Sequence, residues 1–222
     1  MKITIDGPSA SGKSTIAKKL SLVLGIPYLE TGLVYRTFGY LLKVKNFPLE
    51  RWELLFEESL QVVPEVGRTI VIVEGKVVDE EELKTEEVAK YASLLGAIPE
   101  FRERINSFFR SIINDRQVIV EGRDGGTHIV PEAPLKFFIT ASPEERARRR
   151  YEQLKALGKE VSYEEILKQI LERDKRDAER PKYPFKPAED AIIIDTTGKT
   201  PEEVLEYILN EIKKFSEFSQ RS

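Results

Sequence analysis

The run Gly7-Pro8-Ser9-Ala10-Ser11-Gly12-Lys13-Ser14 fits the pattern G-x-x-x-x-G-K-[ST] at every fixed position. Residues of these types at this spacing bind phosphate. Glycines at 7 and 12 let the backbone turn tightly and approach an anion with no side chain in the way. Successive N–H groups then converge on the phosphate, aided by the positive end of the helix that follows. Lys13 is placed to reach the β- and γ-phosphates, the Ser14 hydroxyl to ligate Mg²⁺, and Thr15 to carry the cradle into the helix. The expected ligand is a nucleoside triphosphate.

Four further segments concentrate arginine where a second phosphate could sit. In Leu29-Glu30-Thr31-Gly32-Leu33-Val34-Tyr35-Arg36, a short strand gives way to a helix. Tyr35 and Arg36 are expected in its first turn, where an arginine suits an anion better than it suits the helix dipole. Glu121-Gly122-Arg123-Asp124-Gly125-Gly126-Thr127 follows an apolar strand. It therefore sets Arg123 and Asp124 at the carboxyl edge, where open α/β sheets bind ligands. In the helix expected from Ser162 to about Arg180, Tyr163, Ile166 and Ile170 share a core face. The same stripe continues as Arg173, Asp177 and Arg180, within roughly 40–60° of one another. A buried face that turns into arginine and carboxylate is aimed at a cleft, and a planar guanidinium pairs bidentately with phosphate. The alternative is a solvated helix end held by i,i+4 pairs. Arg146, Arg148, Arg149 and Arg150 put four cations in five residues, which cannot all face one way. A solvated face accounts for at least two, Arg148 among them, and one or two can close over a transferred phosphate. His128, the single histidine, is read as structural or exposed.

The elements that must hold these groups read as alternating strands and helices around a parallel sheet. Core strands are expected at 2–5, 117–121, 135–140 and 191–194, with a short one near 27–29. Val118-Ile119-Val120 and Ala191-Ile192-Ile193-Ile194 are apolar without alternation, as strands covered on both faces are. Ser142-Pro143-Glu144-Glu145 and Thr200-Pro201-Glu202-Glu203 are two helix starts, each with a hydroxyl cap, a proline at the first position and a capping-box glutamate. The stretch 60–84 breaks the rhythm: its β-rich runs lie too close together for parallel crossovers and must pair antiparallel. It is expected to form a small antiparallel sheet inserted in the α/β core, flanked by helices at about 49–59 and 86–114.

Composition narrows the class. At 222 residues, 41% hydrophobic and 33% charged, the chain has the make-up of a globular protein. A net charge of −3 argues against a general nucleic-acid partner. The absence of cysteine removes thiol catalysis, disulfides and thiolate metal sites together. No apolar stretch approaches the ~18 residues of a membrane span, and the start has no signal-peptide pattern. The expected location is the cytoplasm.

Taken together, the sequence resembles the bacterial cytidylate kinases, a branch of the P-loop nucleoside monophosphate kinases, nearly from end to end. The segments IDGPSASGKST, LETGLVYR, EGRDGGT, ASPEERARRR, ERDKRDAER and KPAEDAIIIDTT occur in family order. The first is shared by many kinases; EGRDGGT and ERDKRD are far more specific. The resemblance implies a single domain with a P-loop parallel sheet, flanking helices, a small antiparallel insert and a helical lid. Its core would cover about 1–30, 115–142 and 188–215, its acceptor region 31–114 and its lid 146–162. It also implies transfer of the γ-phosphate of ATP to CMP or dCMP with Mg²⁺, by a monomer. Thr31, Tyr35 and Arg36 are then expected to hold the acceptor. Ser93 and Asp124 would hydrogen-bond the cytosine or its surroundings, with Arg102 nearby and Arg123 at the acceptor. Arg173, Asp177 and Arg180 would contact the nucleotide, and Lys13, Arg150, Arg173 and Arg176 would supply charge to the transferred group. The sequence departs from the family pattern at Glu30-Thr31, where Asp-Ser is common, and at Gly125 and His128, where apolar residues are usual. Two rivals remain: another small-molecule P-loop kinase, against which the insert and EGRDGGT weigh, and a nucleotide-dependent switch without transferase activity.

Overall fold

The short apolar runs pair in the order their flanking helices allow. In the computed structural model, which describes residues 1–219, the chain begins with β1 (Lys2–Asp6), α1 (Lys13–Leu24), β2 (Pro27–Glu30) and α2 (Thr31–Val44). A 3₁₀ segment (Leu49–Phe56), β3 (Leu60–Val66), β4 (Arg68–Val73), β5 (Lys76–Val77), α3 (Glu80–Leu83), α4 (Glu86–Leu95) and α5 (Pro99–Ile113) follow. Then come β6 (Val118–Gly122), a π-helical turn (Gly125–Ile129), β7 (Leu135–Thr140), α6 (Pro143–Ala156), α7 (Tyr163–Ala178), β8 (Ile192–Asp195) and α8 (Pro201–Ser219).

One sheet runs β5-β4-β3-β2-β6-β1-β7-β8. The five strands from β2 to β8 are parallel, and β3, β4 and β5 are antiparallel. Both faces of the parallel part are covered as far as β7; the edge strand β8, expected from its apolar run to be covered on both faces, leaves Ile193 exposed. Ile3, Ile5, Ile119, Phe137 and Ile139 pack with Ile16 and Leu20 of α1 and Ile208 of α8. Val118, Val120 and Leu29 face Val34 and Phe38 of α2 and Phe101, Ile105 and Phe109 of α5. Strands buried on both faces read as unbroken apolar runs, which is why β6 shows no alternation.

Several expectations are corrected. The antiparallel strands are not a separate sheet: Pro27 pairs with Val66 and Tyr28 with Glu65, so they extend the main sheet beyond β2. A tight turn at Glu74-Gly75 joins β4 to β5 with φ of 50° and 78°, both left-handed as a primed hairpin turn requires. The segment expected as one helix over 86–114 is two, because Pro99 opens α5 and has no N–H with which to continue α4. The 49–59 helix is a 3₁₀ segment ending at Phe56. Tyr35 and Arg36 lie in the second turn of α2, which begins at Thr31. The helix carrying the arginine stripe ends at Ala178, so Arg180 stands just beyond it. The two capping boxes also differ. At α8, Thr200 and Glu203 exchange both bonds, with the Thr200 N–H on Glu203 Oε2 at 2.7 Å. At α6, Ser142 caps the Glu145 N–H, but the Glu145 carboxylate turns to Arg148 and Arg149 instead.

Candidate active site

The phosphate loop leaves β1 at the carboxyl edge of the sheet and turns into α1 at Gly12, which has φ 89°. Ala10 is also left-handed, at φ 59°. A Cβ on Gly7 would run into the Ile139 carbonyl, so only glycine lets the loop lie this close to β7. Ser11 Oγ donates to the Pro8 carbonyl at 3.0 Å and braces the loop from within. No side chain caps the start of α1 and no acid stands in its first turn. Its first N–H groups are thereby left for an external anion. Ser14 is exposed there.

Lys13 is held ready beneath this loop, with Nζ donating to the Pro8 carbonyl at 3.1 Å and lying 3.6 Å from Glu121 Oε1. Burial lowers its pKa, and the Glu121 carboxylate opposes that shift. The sheet register sets Ile5, Glu121 and Glu30 side by side on neighbouring strands. Adjacent parallel residues point to one face, so two carboxylates share the space under the loop. Tyr28 Oη bridges them, 3.2 Å from Glu30 and 3.4 Å from Glu121. Burial, and then the charge of Glu121, push the Glu30 carboxyl up to about 7. Mg²⁺ prefers few protein ligands, several waters and substrate phosphate oxygens. The Ser14 hydroxyl and this carboxylate row fit that set.

The residues expected on the acceptor side converge on two buried carboxylates. Asp177, 1% exposed, accepts from Arg123 and Arg180 and lies 3.8 Å from Arg173 Nε. Asp124, 7% exposed, accepts from Arg102 Nη1 at 2.7 Å. Arg102 also donates to the Gly96 carbonyl and lies over the Tyr35 ring. Burial and mutual repulsion with Arg173, Arg180 and Arg102 hold the Arg123 pKa well below the usual range. Arg180 falls to about 10, by burial and then by Arg102. Arg123 Nη2, Arg180 Nε and the Tyr35 hydroxyl are buried without a protein hydrogen-bond partner. A buried donor without a partner costs about 1–3 kcal/mol, and three such groups among crowded guanidiniums form a cradle for an anion.

The remaining expected residues are placed as follows. Arg36 is half-buried, and its charge is felt by both Glu30 and Arg173. Ser93 is half-buried on α4, which approaches α2 closely because Gly39 is there: a Cβ would lie 2.8 Å from Ala92 N. Thr31 is buried, and its hydroxyl donates to the Glu121 carbonyl at 2.9 Å, pinning α2 to β6. Arg150 is exposed on α6 with Nη1 on Gln153, and Arg176 is exposed on α7. Arg148 is exposed between Glu145 and Glu152. His128 is half-buried, bonded to Thr127 and edge-on to Tyr183.

Two arginines matter more than their sequence suggested. Arg146 is buried and pairs with Asp174 of α7 while donating to the Ala141 and Ser9 carbonyls. Arg149 donates to the carbonyls of Ser11, at 3.2 Å, and Thr196, at 2.7 Å. Together they tie the α6–α7 pair to the back of the phosphate loop. The buried pair Ala147 and Leu154, seven apart, marks the inner face beside them and was the available signal. Asp6 went unread altogether, though an acid that closes an apolar strand just before a phosphate loop is out of place electrostatically.

The chain is similar to known proteins over nearly its whole length. A family model described as cytidylate kinase matches residues 3–214. A cytidylate kinase of Aquifex aeolicus is 65% identical over 220 residues, covering 99% of both chains. One from Fervidobacterium nodosum is 44% identical over 215 residues, 96% of both. Among solved structures, an uncharacterized protein from Eubacterium ventriosum aligns with a TM-score of 0.52 at 16% identity, covering 96% of this chain and 98% of that one. That last likeness is one of fold alone.

Proposed function

Because the chain belongs to the cytidylate kinase family, we propose that it carries out that reaction, ATP with CMP or dCMP giving ADP with CDP or dCDP. The loop at 7–14 holds the donor, and the Arg123–Asp177–Arg180 and Arg102–Asp124 pairs, with Tyr35 and Arg36, hold the acceptor. The observation that carries this division is the set of buried, partnerless polar atoms on Arg123, Arg180 and Tyr35 at the same sheet edge as the loop.

The acceptor phosphate has a second pKa near 6, so it is largely dianionic at neutral pH and its oxygen needs no general base. Catalysis is then positioning of two phosphates in line and stabilisation of charge on the transferred group. Lys13 reaches the donor phosphates. Ser14, beside Glu121 and Glu30, would hold Mg²⁺, which would supply charge neutralisation to the donor phosphates. Arg173, Arg176 and Arg150 stand on the α6–α7 pair, from which they can close over the transferred group and exclude water. Ser93 reads the cytosine or its surroundings from α4. We assign Thr31 an indirect part, setting the start of α2 and so the position of Tyr35 and Arg36. The protein is read as a cytoplasmic monomer with small-molecule ligands; among the described residues no helix is long and apolar enough to cross a membrane.

A coupled ADP-release assay across CMP, dCMP, UMP, AMP and shikimate tests the reading. Turnover is expected with CMP and dCMP first. ADP release that ignores the acceptor, or that favours shikimate or AMP, overturns it.

A further inference from the structure

Asp6 is the last residue of β1, and the phosphate loop begins at the next position. Its neighbour Ile5 faces α1, whereas Asp6, like Thr4, faces the other side of the sheet. There its Oδ1 accepts the Gly125 N–H at 2.9 Å and its Oδ2 accepts the Gly126 N–H at 2.8 Å. The side chain is 6% exposed. The charges acting most on it, Asp124 and Glu121, are both acids, and backbone N–H groups hold this carboxylate. The approach is close on both glycines: a Cβ on Gly125 would lie 3.1 Å from Asp6 Oδ1, and one on Gly126 2.9 Å from Thr4 Oγ1 and 3.3 Å from Asp6 Oδ2.

The residues joined in this way are the two halves of the site. Arg123 and Asp124 immediately precede the clamped glycines, and Lys13 follows on the loop that Asp6 opens. A buried carboxylate without a cation is costly, and apolar packing at this position would avoid that cost. The geometry points to Asp6 as a positioning residue that fixes the acceptor turn against the root of the donor loop, and so sets the alignment of the two phosphates. It touches neither nucleotide. The inference rests on the assignment of Arg123 and Asp124 to the acceptor. An Asp6→Asn side chain has one acceptor oxygen, and its amide N–H groups confront a backbone N–H. The turn then loosens while the loop itself keeps its internal bonds.

The test is steady-state kinetics of Asp6→Asn with Thr4→Val as control. Thr4 lies two residues earlier on the same face, and its buried Oγ1 has no hydrogen-bond partner. Asp6→Asn should lower kcat/KM for CMP tenfold or more, keep the KM for ATP within threefold of wild type, and speed exchange of the Gly125 and Gly126 amides. Thr4→Val should change none of these. Equal losses in the two variants, or parallel losses toward ATP and CMP, overturn the proposal. Should Asp6→Asn fail to fold, exchange on the wild-type protein decides. Gly125 and Gly126 amides exchanging as fast as that of Gly75 in the exposed β4–β5 turn would exclude the clamp. Wild-type protein without CMP-dependent turnover would instead defeat the acceptor reading, and the exchange result would stand apart from it.

Discussion

The donor loop and the acceptor cradle share one sheet edge but are held in opposite ways. The loop is fixed by backbone: Gly7 against the Ile139 carbonyl, Ser11 on the Pro8 carbonyl, and α1 anchored through Ile16, Ala17 and Leu20 in the core. The acceptor cradle is fixed by charge. Its outer wall, the α6–α7 pair, has a core of its own built on Ala147, Leu154, Ile166 and Ile170, with Arg146–Asp174 joining its two helices. It meets the rest of the site through Arg146 on the Ser9 carbonyl, Arg149 on the Ser11 and Thr196 carbonyls and Arg123–Asp177. Buried ion pairs add little net stability, yet breaking one by removing a partner is expensive. A wall held this way can exchange a carboxylate for a substrate phosphate without unfolding anything. On the proposed assignment, the donor side is therefore a preformed receptor and the acceptor side a set of exchangeable bonds.

The sharpest break of that contrast is Lys13→Ala. On the proposed assignment Lys13 serves donor phosphates, and losing one preorganised transition-state charge typically costs 10²–10³ in turnover. CMP affinity, measured by titration calorimetry, should change less than tenfold, which is ~1.4 kcal/mol. A larger loss of CMP affinity would mean that the two sides are not separate.

Arg180→Ala probes the exchangeable side. Its guanidinium is buried beside Asp177, with Nε unpartnered, and a charged hydrogen bond there is worth roughly 1.5–3 kcal/mol. The expected result is a loss of about 10- to 150-fold in kcat/KM for CMP, with ATP affinity spared. Arg148→Ala, on the exposed face of α6, should cost severalfold at most. Equal losses in the two variants would refute the assignment of Arg180 to the cleft.

The same contrast governs what could be read from the chain. The donor loop was legible in full, because its function lies in consecutive backbone positions that eight adjacent residues specify. The arginine stripe of α7 was legible as a direction, since helix periodicity fixes which residues share a face. Its partners were not: Arg123 meets Asp177 across 54 residues and Arg102 meets Asp124 across 22, and no local pattern encodes such pairings. The attachment of β3 to β2 was hidden for the same reason, although the hairpins beyond it were plain from their turns. Pro99 did mark the break between α4 and α5, and the expected helix at 86–114 ran across it. Asp6 went unread because a lone acid at a strand end carries no spacing to interpret; its charge, out of place before a phosphate loop, was the one signal.

Hydrogen exchange sharpens the comparison at the two walls. The β3–β4 wall is stitched to the core by the β2 ladder, by the Glu30 N–H on Thr69 Oγ1 at 2.8 Å and by the Gly67 N–H on Ser21 Oγ at 2.9 Å. The α6–α7 wall has no such ladder. On adding CMP with a non-hydrolysable ATP analogue, protection should rise several-fold across 146–178. In the 60–84 stretch it should rise less, and toward the β5 end. A larger change at the base of β3 than in α7 would reverse the assignment of rigid and mobile walls.

The smallest expected effect concerns stability and pH. Burial raises the Asp6 carboxyl from its ordinary 3.8 to about 7, against the pull of the Gly126 and Gly125 N–H groups. Between those values the folded chain binds a proton that the unfolded chain has released, so stability falls as pH rises, by at most ~1.4 kcal/mol per pH unit for one group. Its contribution is complete below about pH 4 and gone above about pH 7. Asp6→Asn cannot titrate and removes this slope. Thermal melting of both proteins at pH 5 and pH 7.5 isolates it, since every other group is common to the pair. At ~2–4 °C per kcal/mol for a chain of this size, the variant should gain several degrees relative to wild type as pH rises. A difference in Tm that stays constant, or that moves in favour of wild type at the higher pH, would show that Asp6 is ionised throughout. The two glycine N–H groups would then hold a full negative charge at every pH at which the protein folds.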